Sequence, residues 1–395
     1  MKFFHPTDIL IPKHHHETWA TIACDQHTSD PTYWEKAAAI AGDAPSALRV
    51  ILPEVYLSRD NSERIAAINK TMHHYLDSDL FSEYKDALIY LERTLPSGKI
   101  RRGIVGAIDL DAYDFQKGAK SPIRATEETV AGRLPPRVAI RQNAALELPH
   151  VMLLINDAEK MVIEPLAAAK ESFPVLYDFD LMLGGGHVTG YLVTKECVDK
   201  IDQALDSLYE TSPLLFAVGD GNHSLASAKI CYEENPTPLS RQALVEVVNI
   251  HDAALEFEPI YRVLFGVEPT ALLKDLKSYF QDKTAKGTQE VTVIFGSEQE
   301  TLQIPAITTL AVSTLRQFLD EYLREHPTVT IDYIHGIDET RMLASRQNTV
   351  GFLFEGMKKE ELFPAVEKDG ALVRKTFSMG EAADKRYYIE ARKIQ

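Results

Sequence analysis

The stretch that most constrains this chain is Leu214-Leu-Phe-Ala-Val218, followed by Gly219-Asp-Gly-Asn-His-Ser224 and Leu225-Ala-Ser-Ala-Lys-Ile-Cys-Tyr-Glu-Glu234. Five consecutive apolar residues predict a buried strand, Gly219-Asp220-Gly221 a tight turn, and Leu225, Ala228 and Tyr232 the inward stripe of a helix. A strand buried on both faces needs helices to cover it, so the chain must build layered α and β structure. A helix that opens on glycines also offers backbone N–H groups without intrahelical partners, which an anion can approach closely. Asp220, Asn222, His223 and Ser224 place a carboxylate, an amide, an imidazole and a hydroxyl at the same mouth. The plainer alternative is a turn, with Asn222 as a helix cap and His223 as a surface residue.

With 395 residues the chain exceeds one ordinary core, and two regions are expected, 1–237 and 238–395, divided where Asn235-Pro-Thr-Pro238 breaks a helix. The formal charge of -16 argues against a nucleic-acid surface, which needs clustered Lys and Arg, but leaves room for a small anionic metabolite or nucleotide. Cys24, Cys197 and Cys231 are scattered, with no zinc spacing and no disulfide frame, as in a reducing cytoplasm. No apolar run approaches 18 residues and the segment from Met1 to Pro6 has no apolar leader, so a cytoplasmic chain without a membrane span is expected. The sequence leaves the oligomeric state open.

In order, Asp8–Pro12 reads as an edge strand. His14-His15-His16 reads as extended, its side chains on alternate faces, and Ala20 leaves HExxH incomplete. Asp30-Pro31 starts a helix, 46–53 reads as a strand, and the 62–95 stretch as two helices, the second on Tyr84, Leu88 and Leu91. Strands are expected at 101–111, 150–156, 188–194 and 243–250, and a helix at 197–209. Arg124, Thr126, Glu127, Thr129 and Arg133 are crowded into one polar segment, which carries function or is a solvated helix start. Beyond 265, helices such as 272–280 and 315–323 alternate with strands such as 291–295 and 328–334. The fold class expected is α+β, with mixed sheets and packed helices.

The order of these motifs resembles a bacterial family of unknown function, DUF1015, over nearly the whole chain. Where that family has a His-Glu-x-Thr-like segment, an Asp-Gly-His-His-Arg turn, a Pro-Thr-His-Arg element and a Lys-Ser-Thr-Phe segment, this chain has Arg124-Ala-Thr-Glu-Glu-Thr129, Asp220-Gly-Asn-His-Ser224, Pro259-Ile-Tyr-Arg262 and Arg374-Lys-Thr-Phe377. Thr126, Asn222 and Tyr261 stand where the family has histidines, and Ser224 where it has an arginine. The turn is similar in turn to that of the ParB and sulfiredoxin-like superfamily, which includes free serine kinases.

The resemblance implies a phosphate-binding core of that type with a C-terminal α/β region, and phosphoryl transfer from ATP or ADP with Mg2+ to a small hydroxyl metabolite such as serine. It implies catalytic roles for Glu127, Asp220 and His223. Gly221, Asn222, Ser224, Arg124, Thr129, Arg262, Lys375 and Thr376 would bind phosphate or nucleotide. The substitution at Ser224 favours one alternative, a regulatory protein that binds nucleotide or phosphoserine without turnover; a hydrolase of phosphoserine, with water in place of the hydroxyl acceptor, is a further alternative. No GxxxxGKS run is present, which excludes an ordinary P-loop enzyme.

Overall fold

The computed structural model describes residues 3–58 and 60–395. Met1 and Lys2, within the segment expected to lack an apolar leader, lie outside the described residues. The chain forms two compact units, Met1–Leu255 with Gly380–Gln395, and Glu256–Met379.

The first unit is organised on a ten-stranded sheet. Its strands are β1 (Phe4–His5), β2 (Ile89–Thr94), β3 (Ile100–Asp109), β4 (Tyr113–Asp114), β5 (Ile123–Ala125), β6 (Met152–Ile155), β7 (Val175–Asp180), β8 (His187–Leu192), β9 (Phe216–Asp220) and β10 (Gln242–Asn249). They lie in the order β7-β8-β2-β3-β10-β6-β9-β5-β4, with β1 paired to β3. The sheet is mixed: β6 with β10, β5 with β9 and β4 with β5 are parallel, and the other pairs are antiparallel.

Both faces are buried, because successive residues of one strand enter different cores. Tyr90, Ile104, Val245 and Val247 pack with Ile201 and Leu205 of the helix α4 (Lys195–Thr211) and with Leu225 and Ala228 of α5 (Asn222–Glu234). Ile89, Leu91, Val105 and Leu244 join the opposite core, with Trp34 of α1 (Pro31–Ala41), Ile68 and Met72 of α2 (Ser62–Asp77), and Tyr388 from the C-terminal segment. A shorter helix, α3 (Leu134–Arg141), packs on α5. Asp30 caps α1 by accepting from the N–H groups of Thr32 and Tyr33, as the Asp-Pro signal requires.

The C-terminal segment is bound into this unit by buried charge. Arg386 Nη1 lies 2.7 Å from Glu246 on β10 and its Nη2 2.6 Å from Glu390; Arg392 Nε lies 2.6 Å from Glu147. Glu246 is fully buried and also faces Arg101 on β3 at 3.4 Å. The unit boundaries therefore fall at 255/256 and 379/380 rather than at 237/238. β10, beyond Pro238, lies in the middle of the sheet, between β3 and β6.

The second unit carries a six-stranded sheet of β11 (Phe257–Phe265), β12 (Thr288–Phe295), β13 (Glu298–Pro305), β14 (Thr330–His335), β15 (Thr349–Phe354) and β16 (Phe377–Met379), in the order β13-β12-β15-β11-β14, with β16 on β11. Its helices include α6 (Pro269–Gln281), which buries Leu272, Leu276 and Phe280, and α7 (Ala311–Glu325). Mixed α and β structure is thus present in both units.

Several local expectations are corrected. The second helix expected by residue 95 is a pair of strands, Phe81–Ala87 and β2. The 46–53 stretch is a 3-10 turn at Ala47–Arg49 capped by Ser46, with Val50, Ile51 and Leu52 buried but unpaired in any sheet. The histidine triplet is not extended, since His15 adopts φ 67° and His16 begins a single helical turn, His16–Trp19. The polar segment after Ser121 enters β5, not a helix.

Candidate functional site

β9 ends at Asp220, and only Gly221 makes the turn into α5. Gly221 has φ 84°, and a Cβ there would sit 3.0 Å from the Cα of Val151, so both conformation and space demand glycine. Its N–H donates to Asp220 Oδ1 at 2.9 Å. No side chain caps α5, so its first turn presents backbone N–H groups at the sheet's end.

The 126–130 segment lies against that turn. Asn222 is buried and accepts the N–H of Thr126 at 3.1 Å, and Thr126 donates its hydroxyl to Val218 O at 2.5 Å. Thr126 and Asn222 are two of the positions at which the expected motif has histidines, and here they bond to each other. Asn222 is thus a packing and bridging residue. His223 Nε2 accepts the N–H of Val130 at 3.2 Å, which leaves Nδ1 to carry the hydrogen of the neutral ring. Glu127, in the same segment, is half-buried. Thr129 Oγ1 is shielded from solvent and has no hydrogen-bond partner among the described residues.

A second group, not expected from the sequence, closes the same mouth. Lys385 Nζ lies 3.4 Å from Asp220 Oδ2. Asp25 Oδ2 lies 3.8 Å from His150 Nε2, and Tyr388 Oη lies 2.8 Å from His150 Nδ1. The Cys24 N–H donates to Tyr388 Oη at 3.1 Å, so the phenol can pass its own hydrogen to Nδ1 and leave Nε2–H facing Asp25. Burial would raise the Asp25 carboxyl, but His150, a hydrogen bond from Gln26, Lys385 and Arg137 outweigh it and hold the group below the usual carboxylate range. Burial, helped by the Asp25 charge, pushes the Cys24 thiol up to about 11, which makes it a poor nucleophile at neutral pH.

Of the remaining residues expected at the site, Arg124 is turned to backbone carbonyls, and Arg262, Lys375 and Thr376 are described within their own unit. Arg124 on β5 is buried and donates to the carbonyls of Ser121 at 2.7 Å and Lys120 at 3.3 Å. Arg262, Lys375 and Thr376 belong to the second unit. Arg262 is buried there, its guanidinium 4.7 Å from the centre of the Tyr333 ring and donating to Arg374 O at 3.2 Å. Thr376 donates to Val373 O at 2.6 Å, and Lys375 adopts φ 59°. Among the described residues no group of three His, Cys, Asp or Glu side chains is placed to hold a metal ion. Mg2+ needs only one or two carboxylates when it arrives on phosphates, and Asp220, at the end of β9, fits that need.

Residues 5–340 match the family model described as "Protein of unknown function (DUF1015)". The chain belongs to that family. No curated protein matches it. Among solved structures it is similar to a conserved hypothetical protein from Pyrococcus furiosus, with 11% identity, a TM-score of 0.39, and coverage of 73% of this chain and 94% of that one. It is also similar to a free serine kinase mutant in complex with ADP (11%, 0.43, 75% and 93%) and to the same kinase mutant in complex with AMP (11%, 0.44, 76% and 94%). At that distance these structures bear on no individual residue of the site. No helix among the described residues is long and apolar enough to cross a membrane.

Proposed function

We propose that the first unit binds the phosphates of a nucleotide at the first turn of α5 and transfers a phosphoryl group to the hydroxyl of a small acceptor, on a core of the ParB/sulfiredoxin-like type. The observation that carries this reading is the uncapped helix opened by Gly221, facing a cluster in which Lys385 adjoins Asp220 and Asp25 stays ionised. Phosphoryl transfer needs N–H donors on the phosphate oxygens, a cation for the developing charge, and a carboxylate for the hydroxyl proton. In this reading the N–H groups of Asn222, His223 and Ser224 cradle phosphate, with Thr129 Oγ1 as a further donor, and Lys385 supplies the charge. Asp25 takes the proton, a role the sequence had suggested for Glu127 or Asp220. The acceptor oxygen bonds to the terminal phosphorus as that phosphorus loses its bond to the bridging oxygen, and the nucleotide, one phosphate shorter, leaves with that electron pair. Arg262, Lys375 and Thr376 would join only as donors from a separate unit.

One observation favours binding without turnover: Ser224 replaces the arginine expected at the turn, while Arg124 is directed to backbone carbonyls. Thermal melting with ATP, ADP, CTP, O-phosphoserine and serine, with and without Mg2+, tests both readings, because a ligand that binds only the folded state raises the midpoint. A Mg2+-dependent rise with a nucleotide, lost in His223→Ala, is expected. A rise with no phosphorylated product in any acceptor screen would establish the binding-only reading, and no rise with any phosphate compound would end both.

A further inference from the structure

Lys385, the cation of the proposed site, sits between a 3-10 turn at Ala382–Asp384 and a two-residue strand, Tyr387–Tyr388. Elements this short do not hold a side chain in place on their own. The segment is gripped from the sheet instead. Arg93 on β2 is buried, and every hydrogen bond it makes among the described residues goes to a backbone carbonyl. Its Nη2 donates to Ala383 O at 2.5 Å and to Gly185 O at 2.9 Å, and its Nη1 to Asp384 O at 3.3 Å and to Lys385 O. Arg101, directly opposite on β3, adds a bond to Asp384 O at 2.7 Å. The Tyr387 ring centre lies 4.9 Å from the Arg93 guanidinium, and its hydroxyl donates to Met182 O at 3.0 Å.

We infer that Arg93, backed by the turn at Gly185, is the positioning residue of the proposed site: it sets the backbone from Ala383 to Lys385 so that the Lys385 ammonium reaches the mouth at the α5 turn. The inference rests on the phosphotransfer reading above and adds the part that fixes its cation. Two guanidinium groups side by side on a buried face repel each other and lose hydration, and the carbonyls of one short segment converge on them. Those contacts end at the residue whose ammonium lies 3.4 Å from Asp220 Oδ2. The fork matters, because a guanidinium aims its donors along several fixed directions, whereas an ammonium is a point charge on a flexible stem. The turn between β7 and β8 completes the grip. A Cβ at Gly185 would lie 2.5 Å from Tyr387 Oη and 2.9 Å from the Cβ of Leu181, so only glycine lets the Tyr387 ring lie over Arg93 while Gly185 O accepts from the same guanidinium.

The test acetylates the full chain with sulfosuccinimidyl acetate and reads each lysine by peptide mass spectrometry, with the exposed Lys200 as internal reference. Without ligand, Lys385 is expected to react slowly in the wild type and several-fold faster, relative to Lys200, in Arg93→Lys and in Gly185→Ala, because the ammonium leaves Asp220. Unchanged Lys385 reactivity in both variants would overturn the inference. Calorimetric affinity for ATP with Mg2+ and for inorganic pyrophosphate gives the second readout. Arg93→Lys and Lys385→Ala should each weaken pyrophosphate binding about tenfold, the worth of one charge-assisted hydrogen bond, and the double variant should weaken it no more than Lys385→Ala alone. Losses that add would make Arg93 a support of the fold and not of the lysine, and would overturn the inference as well. Urea denaturation shows which variants are folded; should Arg93→Lys fail to fold, Gly185→Ala, which keeps the guanidinium, carries both measurements. Failure of ATP and pyrophosphate to bind the wild type would instead remove the phosphotransfer reading, and the acetylation ratios would still decide whether Arg93 positions Lys385.

Discussion

At the scale of single residues, the proposed chemistry turns on a carboxylate that stays charged in a shielded place. Asp25 is held below the usual carboxylate range by His150, Lys385 and Arg137 against the opposing effect of burial. A depressed carboxyl loses its function as a base only when the pH falls through its own folded value, which lies under the ordinary 3.8. Turnover should therefore stay flat from neutral pH down to about pH 5, where an ordinary His base would already be protonated. Asp25→Asn should lower kcat by about 10²–10⁴-fold with nucleotide affinity little changed. A pH–rate profile and a binding isotherm on each protein check this, and a midpoint near 6.5 would reassign the base to a histidine. The sequence revealed only half of this site. Asp220, Gly221 and His223 stand together and could be read locally, whereas Tyr388 reaches His150 across 238 positions and Lys385 lies in a segment without any motif.

At the scale of elements, the readings that held were those with a local cause. The α1 start holds because Asp30 and Pro31 set it, and α5 follows β9 because an apolar run, a glycine and an inward stripe are contiguous. The reading of 81–95 as a helix failed because Ala87-Leu-Ile-Tyr-Leu91 feeds both cores at once; a strand buried on two faces has no polar side to mark its period, and Tyr84, Leu88 and Leu91 fell on helical spacing by accident. Within the first of the two strands, one residue before its end, Asp86 turns with φ 47°. The junction of β9 and α5 is the opposite case, where one residue carries the geometry. Gly221→Ala should cost about 1–2 kcal/mol from its positive φ, and more if Val151 cannot yield. Urea denaturation measures the loss, and loss of nucleotide binding under conditions where the variant is folded would mark the turn as a ligand element.

At the scale of the whole molecule, unit 1 holds its C-terminal segment with ions taken out of water. Glu246 would be raised by burial, but Arg101 and Arg386 beside it bring the group below its ordinary 4.5. The folded state thus releases the Glu246 proton more readily than the unfolded chain. Its contribution is fully present above about pH 4.5 and is lost as pH falls through the lower folded value. Glu246→Gln leaves Arg101 without its carboxylate and Arg386 with Glu390 alone, and should cost about 3–5 kcal/mol at neutral pH. The cost should shrink in acid, where the wild type loses the same charge; a pH-independent difference in denaturation midpoints would point to packing against Gly103 instead.

The same segment has a consequence for how the protein comes into being. Lys385 and Tyr388 adjoin a mouth whose other residues, from Asp25 to Ser224, are translated well over a hundred codons earlier. Synthesis proceeds at roughly 5–20 residues per second, so for many seconds a nascent chain carries the helix turn and the carboxylates without the lysine and the phenol that finish them. The docking of that segment is therefore the step that brings the lysine and the phenol to the helix turn.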